Sequence, residues 1–312
     1  MEFYSVPILF VCFKRPQVAL KSFERIKSVH PKKLYIVSDG ARQDIENETS
    51  LVNETRQLIL KQIDWECELH TCFREENFGC SRSVSEGVNW MFSKEEYGII
   101  LEDDCVAQDS FFPFMEEMLI RYKDDQRISV VDGSNGVEAH VDIPWSYCYS
   151  KYKQTNGWGT WKRAWDQMDL NMTWRNTPYE ESVLMNMGYR SKDIKYWKYK
   201  FKLIDANEVS AWDWQWYFTT ASYNQLAIVP KFNLITNIGF GDGATHTTWG
   251  GVPDSYKAKK ELSFPLVHPK YIMPYSLFDK AYYKRNNSLF YTIMRYTPLS
   301  LKHFVKKLIS KM

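Results

Sequence analysis

From residue 6 to residue 104 the chain alternates between two kinds of segment, and few folds accept that alternation. Short apolar runs at 6–13, 33–38, 65–73 and 97–101 suit strands buried on both faces. Between them Val18, Leu20, Phe23 and Ile26, then Leu51, Leu58 and Ile59, recur at helical spacing, and a further helix is expected over 81–92. Pro16 suits the opening of the first helix, where its missing N–H costs nothing. Strands alternating with helices imply an α/β fold on a mainly parallel sheet flanked by helices. Such sheets bind ligands beyond the carboxyl ends of their strands. Arg15, Asp39, Gly40, Asn77 and the triplet Glu102, Asp103, Asp104 all fall at those ends or in the loops that follow.

The triplet is the sharpest of these features. Three carboxylates in a row at the end of a buried strand cannot all be buried unpaired, because each bare one is costly to take out of water. A cation is expected there. A divalent metal with a diphosphate is one candidate, since hard cations take carboxylate and phosphate oxygens as ligands. A solvated acidic turn is the plainer alternative.

Past Asp104 the pattern changes. A helix is expected over 111–122 and strands over 128–134 and 226–230; residues 144–174 read as aromatic and loop-rich. There Gly157 and Gly159 flank Trp158 and permit close backbone approach. Residues 189–203 read as a basic, aromatic helix or extended segment, and Asp213 stands between Trp212 and Trp214. Neither a linker nor a repeat interrupts the chain, so one compact unit is expected.

Composition narrows the function classes. Aromatic residues reach 16%, with 12 Trp and 20 Tyr, and such rings line sugar or base sites as well as cores. A net charge of +2 argues against the extended basic surface of a nucleic-acid binder. The charge is uneven, however. Residues 280–312 hold eight of the 40 basic residues and none of the 38 acidic ones, leaving 32 basic against 38 acidic in the body. In that tail Leu301, Phe304, Val305, Leu308, Ile309 and Met312 recur at helical spacing, with Lys302, Lys306, Lys307 and Lys311 mostly off the stripe. The pattern fits an amphipathic helix on an anionic membrane surface, or one docked on the protein's own core. Six cysteines without CxxC pairs or zinc spacing read as reduced thiols. The first apolar run is too short for a secretory signal, and none approaches the ~20 residues that span a bilayer. A cytoplasmic protein, peripheral on the inner face of the plasma membrane if the tail binds lipid, is expected.

The ordered motifs resemble those of the metal-dependent GT-A glycosyltransferases, most of all the N-acetylglucosaminyltransferase I type. The resemblance runs from about Pro7 to Thr247. It rests on 7–15 with its terminal Arg15, on Val37-Ser38-Asp39-Gly40, and on Glu102-Asp103-Asp104 followed by Val106, Asp109, Phe111 and Phe112. Asn156-Gly157-Trp158-Gly159, Trp212-Asp213-Trp214 and the segment from Ile238 to His246 complete it. It implies a Rossmann-like GT-A fold and direct, inverting transfer of a sugar from a nucleotide sugar. Asp104 would be the protein's one ligand to Mn2+ or Mg2+, with Glu102 and Asp103 at the donor hydroxyls. Arg15, Asp39, Gly40 and Asn77 would lie at the nucleotide, Asp39 accepting from the N3–H of uracil. Asp213 would be the general base, Trp158 and Trp212 sugar platforms, and His246 part of a loop over the diphosphate. The family's His in the helix before the metal strand has no counterpart; Ser85 or Glu86 falls there, and Arg82 could contact phosphate instead.

A membrane stem, present in the Golgi enzyme of that type, is missing, so a bacterial surface-polysaccharide or lipooligosaccharide enzyme with a UDP-linked donor and a glycan or lipid-linked glycan acceptor fits better. The expected organisation is a nucleotide-sugar half at 1–105, an acceptor half at 106–270 and a tail at 271–312. A sugar nucleotidyltransferase is the alternative within the same fold. A non-enzymatic carbohydrate-binding protein would explain the aromatics but not the acids.

Overall fold

The protein is seen in a computed structural model that describes residues 3–188, 190–206, 208–209, 212–240, 256–288, 293 and 297. In chain order the first half gives β1 (Ile8–Cys12), α1 (Pro16–Lys27), β2 (Lys33–Ser38), α2 (Glu48–Lys61), β3 (Glu68–Phe73), α3 (Gly79–Phe92) and β4 (Tyr97–Glu102). The chain continues through β5 (Cys105–Ala107), α4 (Phe111–Arg121), β6 (Ile128–Asp132), β7 (Tyr147–Ser150), β8 (Trp158–Trp161) and α5 (Lys162–Trp165). It closes with α6 (Glu180–Asn186), α7 (Ser191–Asp205), α8 (Asp213–Ser222), β9 (Leu226–Pro230), β10 (Ile235–Asn237) and α9 (Ser276–Asn286).

Eight strands form one sheet in the order β3-β2-β1-β4-β8-β6-β9-β7. β8 is antiparallel to both β4 and β6, so those two share a direction. With the parallel pairs β1–β2, β1–β4, β2–β3 and β6–β9, six of the eight strands run the same way. The sheet crosses residue 105 without a break.

Strand periodicity sorts the core into two layers. Ile8 and Phe10, Leu34 and Ile36, and Ile99 and Leu101 face α1 and α4 through Phe23, Phe112 and Met115. The alternate residues Leu9, Tyr35, Val37 and Ile100 face α3, α5 and α8 through Val88, Met91, Trp165 and Trp216. Pro16 stands at the first position of α1, and Ala19, Phe23 and Ile26 are its buried stripe. A third cluster, with Trp174, Leu184, Trp197, Phe201 and Phe218, makes a helical annex of α6 and α7 on α8.

Residues 144–174 correct the sequence expectation. They hold two buried strands, β7 and β8, and the short α5. Strands of four residues carry too few positions for a period, and every residue of both is buried, so no apolar–polar alternation marks them. The third strand begins at Glu68, not at residue 65; Trp65 instead packs on Phe23 and donates its indole N–H to the carbonyl of Pro31. The tail stripe at 301–312 and His246 lie outside the described residues.

Candidate active site

β4 delivers the acidic triplet to the carboxyl edge of the sheet. In the parallel register Glu102 lies opposite Val11 of β1, and the chain leaving β1 places Arg15 directly before α1. The Arg15 guanidinium donates to both Asp103 and Asp104, at 2.9 Å from Asp104 Oδ2. A short antiparallel ribbon then holds Asp104 from the other side. β10 pairs with β5, and Asn237 lies opposite Cys105. The amide of Ile238 donates to the Asp104 carbonyl at 2.8 Å, and Asn237 Nδ2 donates to Asp104 Oδ1 at 3.3 Å. Gly239 lies so close that a Cβ there would stand 2.0 Å from Asp104 Oδ2. A side chain at 239 would push the Asp104 carboxylate out of this place.

Asp213 reaches the same place from the opposite half of the sheet. It is the first residue of α8, and backbone N–H groups of Asp213 and Trp214 donate to its carboxylate. Burial still dominates and pushes its pKa up to about 6. Glu102 is raised as well, first by burial and then by the charges of Asp104, Asp103 and Asp213, with Arg15 opposing them. Burial also raises Asp103 against the pull of Arg15. Cys80, in the first turn of α3, reports the convergence. Its thiol is pushed up to about 12 by burial and by Glu102, Asp213, Asp104 and Asp103 together. Four carboxylates therefore share one neighbourhood with one guanidinium.

A cleft of about 280 Å³ opens beside this cluster, with Asp213, Trp214, Asn156 and Asn237 in its wall. Asn237 spans the two, because its amide also faces Asn156 Oδ1 at 3.3 Å. The rest of the wall mixes rings and polar groups, among them Tyr152, Trp197, Tyr217, Tyr256 and Tyr282 with Gln154 and Lys153. Such a mixture suits a sugar, whose ring faces stack on aromatics while its hydroxyls take hydrogen bonds.

No family model matches this sequence, and none of the curated proteins does. Among solved structures, the mannosyltransferase PcManGT from Pyrobaculum calidifontis, in complex with GDP-mannose and Mn2+, is similar with a TM-score of 0.32 and 9% identity. The likeness covers 49% of this chain and 44% of that one, less than half of either. A likeness of that size carries no argument about this chain's activity.

The remaining expected residues divide. Asp39 points its carboxylate at the start of α3 and accepts from the amides of Phe78 (3.0 Å) and Gly79 (2.9 Å). Asn77 donates to the carbonyl of Gly40 at 2.7 Å, and a Cβ on Gly40 would stand 2.4 Å from the Glu76 carbonyl. These three tie the loop after β2 to the loop after β3. Arg82 is exposed and paired with Glu86 at 2.6 Å, with its guanidinium over the Phe78 ring. It lies two residues from Cys80, about 200° round the helix, and so faces away from the acids.

Trp158 and Trp212 are corrected as platforms. Trp158 is 0% exposed and Trp212 is 4% exposed, and they stack on each other at 5.4 Å within a cluster that includes Trp165 and Trp216. A ring without an open face cannot carry a sugar. The rings that do line the cleft, such as Trp214 and Tyr256, sit in the same or following segments, and nothing in their local sequence says which way they point.

Among the described residues no group of three or more His, Cys, Asp or Glu side chains is placed to hold a metal. Asp104 offers a single carboxylate, 19% exposed, in strongly negative surroundings. That donor set suits a hard divalent ion which takes its other ligands from a diphosphate, and not a cage built by the protein alone.

Proposed function

We propose that this chain is an inverting, metal-dependent glycosyltransferase. It moves a hexose or N-acetylhexosamine from a nucleotide-diphosphate donor, UDP-linked in this reading, to a glycan hydroxyl in bacterial surface-glycan synthesis. The observation that carries the proposal is the convergence of Asp213 with Glu102, Asp103 and Asp104 beside a ring-lined cleft. Asp104 would hold Mn2+ or Mg2+, which as a Lewis acid stabilises the charge gathering on the departing diphosphate. Arg15 holds a positive charge beside Asp104, where it would face the same oxygens. Among the described residues no donor reaches the Glu102 carboxylate, which leaves it to accept from a donor-sugar or ribose hydroxyl. Asp213 takes the proton from the acceptor hydroxyl as that oxygen attacks C1 on the face opposite the diphosphate. A base with a pKa of about 6 is ionised at neutral pH and still basic enough to share a proton.

The nucleotidyltransferase alternative loses ground at the loop after β1. Phe13-Lys14-Arg15-Pro16 has no glycines to cradle a triphosphate. The acid-free tail is proposed to rest on anionic lipid, which would suit an acceptor carried on a lipid. Calorimetry with UDP and GDP, with and without Mn2+, tests the central reading. We expect UDP to bind only with the metal, Asp104→Ala to abolish that dependence, and a panel of nucleotide sugars to reveal metal-dependent hydrolysis of one donor. Undiminished binding of UDP in EDTA would reject the metal role.

A further inference from the structure

Part of the cleft wall has a chemistry different from that of the acidic cluster. Lys153 lines it and is only 6% exposed. An ammonium has three donors. Among the described residues one is spent, on the carbonyl of Lys151 at 3.0 Å, and no carboxylate lies within ion-pair distance. Lys151 and Arg285 line the same cleft, and the Arg285 guanidinium lies against Gly136, where a Cβ would stand 2.0 Å from it. Tyr152 and Tyr282 stand beside them with ring centroids 4.5 Å apart.

Three acids face this group, and among the described residues none is in ion-pair contact with Lys153. Asp193 accepts from the Tyr152 hydroxyl at 2.6 Å and from Asn287 at 3.0 Å. Asp279 accepts from Ser150 at 2.6 Å, and burial pushes it up to about 6. Asp132 is fully buried, and burial pushes it far toward its protonated, uncharged form. Burial, opposed by the charges of Asp132 and Asp279, brings Lys153 down to about 8, so it keeps most of its charge at neutral pH with no anion in contact. The charges that act on it are Asp132, Asp279 and Lys151; the four acids of the strand-end cluster are not among them. Lys153 thus stands apart from the strand-end acids.

We infer that Lys153, with Lys151 and Arg285, forms a subsite for an anionic group on the acceptor, a carboxylate or a phosphate carried by an acidic glycan. A buried ammonium without a counterion is costly, and a bound anion would relieve that cost through charge-assisted hydrogen bonds. The inference deepens the glycosyltransferase reading and rests on it for the word acceptor; the anion subsite itself does not.

The test uses the full-length protein and three probes of similar size: glucuronate, glucose 6-phosphate and neutral glucose. At least one anionic probe is expected to bind tenfold or more tightly than glucose, and which one does so separates carboxylate from phosphate. Lys153→Met should erase that preference, while Lys153→Arg should keep most of it. Equal binding of all three probes to the unaltered protein would overturn the subsite whether or not the variants fold. So would a folded Lys153→Met protein that retains the preference. UDP with Mn2+ is titrated in parallel on the unaltered protein. Loss of metal-dependent UDP binding beside an intact anion preference strikes only the glycosyltransferase reading; the reverse result strikes only the subsite.

Discussion

The two residues beside Asp213 set the surroundings of its carboxylate. Trp212 turns inward onto Trp158, while Trp214 turns to the cleft and carries Lys200 Nζ 3.8 Å above its ring. The carboxylate between them is desolvated without being sealed, and its pKa rises to about 6. In the proposed role of base it must be ionised, so the rate of transfer is expected to fall as pH drops through about 6 and to be level above it. Asp213→Asn should lower kcat by about 10²–10⁴-fold with little change in metal-dependent UDP binding. Both outcomes are read from a pH–rate profile and a UDP titration of the variant. The Trp-Asp-Trp order was legible in the sequence. Which ring faces the core was not, because that depends on where β8 brings Trp158, far away in the chain. The surroundings of Lys153 were hidden for the same reason: the carboxylates that act on it stand on β6 and α9.

The junction of β1 with α1 positions Arg15, and that junction is braced from α2. Glu48, in the first turn of α2 and 1% exposed, accepts from Lys14 at 2.5 Å and from three N–H groups of Arg42. The pairing with Arg42, then Lys14, holds Glu48 down from 4.5 to about 2. A depressed carboxylate stabilises the fold above its unfolded pKa, and that contribution is lost as pH falls through the folded value. Glu48→Gln is therefore expected to cost about 1–2 kcal/mol at pH 7, discounted because both cations are partly in water. The gap should close between pH 4.5 and about 2, as seen in Tm measured at pH 7 and pH 3. Elements of this first half were readable because long apolar runs alternate with helical stripes. The insertion of β8 between β4 and β6 was not, since register across a sheet is a long-range property that four residues cannot announce.

Across the whole molecule, six strands point their carboxyl ends at one edge, and the acids of β4 and the residues leading out of β9 meet there. The basic residues gathered at 280–312 leave a net negative body behind them. Among the described residues no helix is long and apolar enough to cross a membrane. Deleting residues 298–312 should reduce sedimentation with anionic liposomes and spare donor hydrolysis; unchanged sedimentation would remove the membrane role from the tail. Arg15 has a consequence of another kind. A small cation arriving alone at Asp104 would have to displace a tethered guanidinium and leave it without a partner. A cation arriving with a polyanion would not, because the polyanion receives the guanidinium. If the proposed function holds, the affinities of ion and nucleotide would be linked, and by reciprocity each would raise the other by the same factor. An arginine fixed at a strand–helix junction in this way would make the proposed centre a detector of the pair, indifferent to either member by itself.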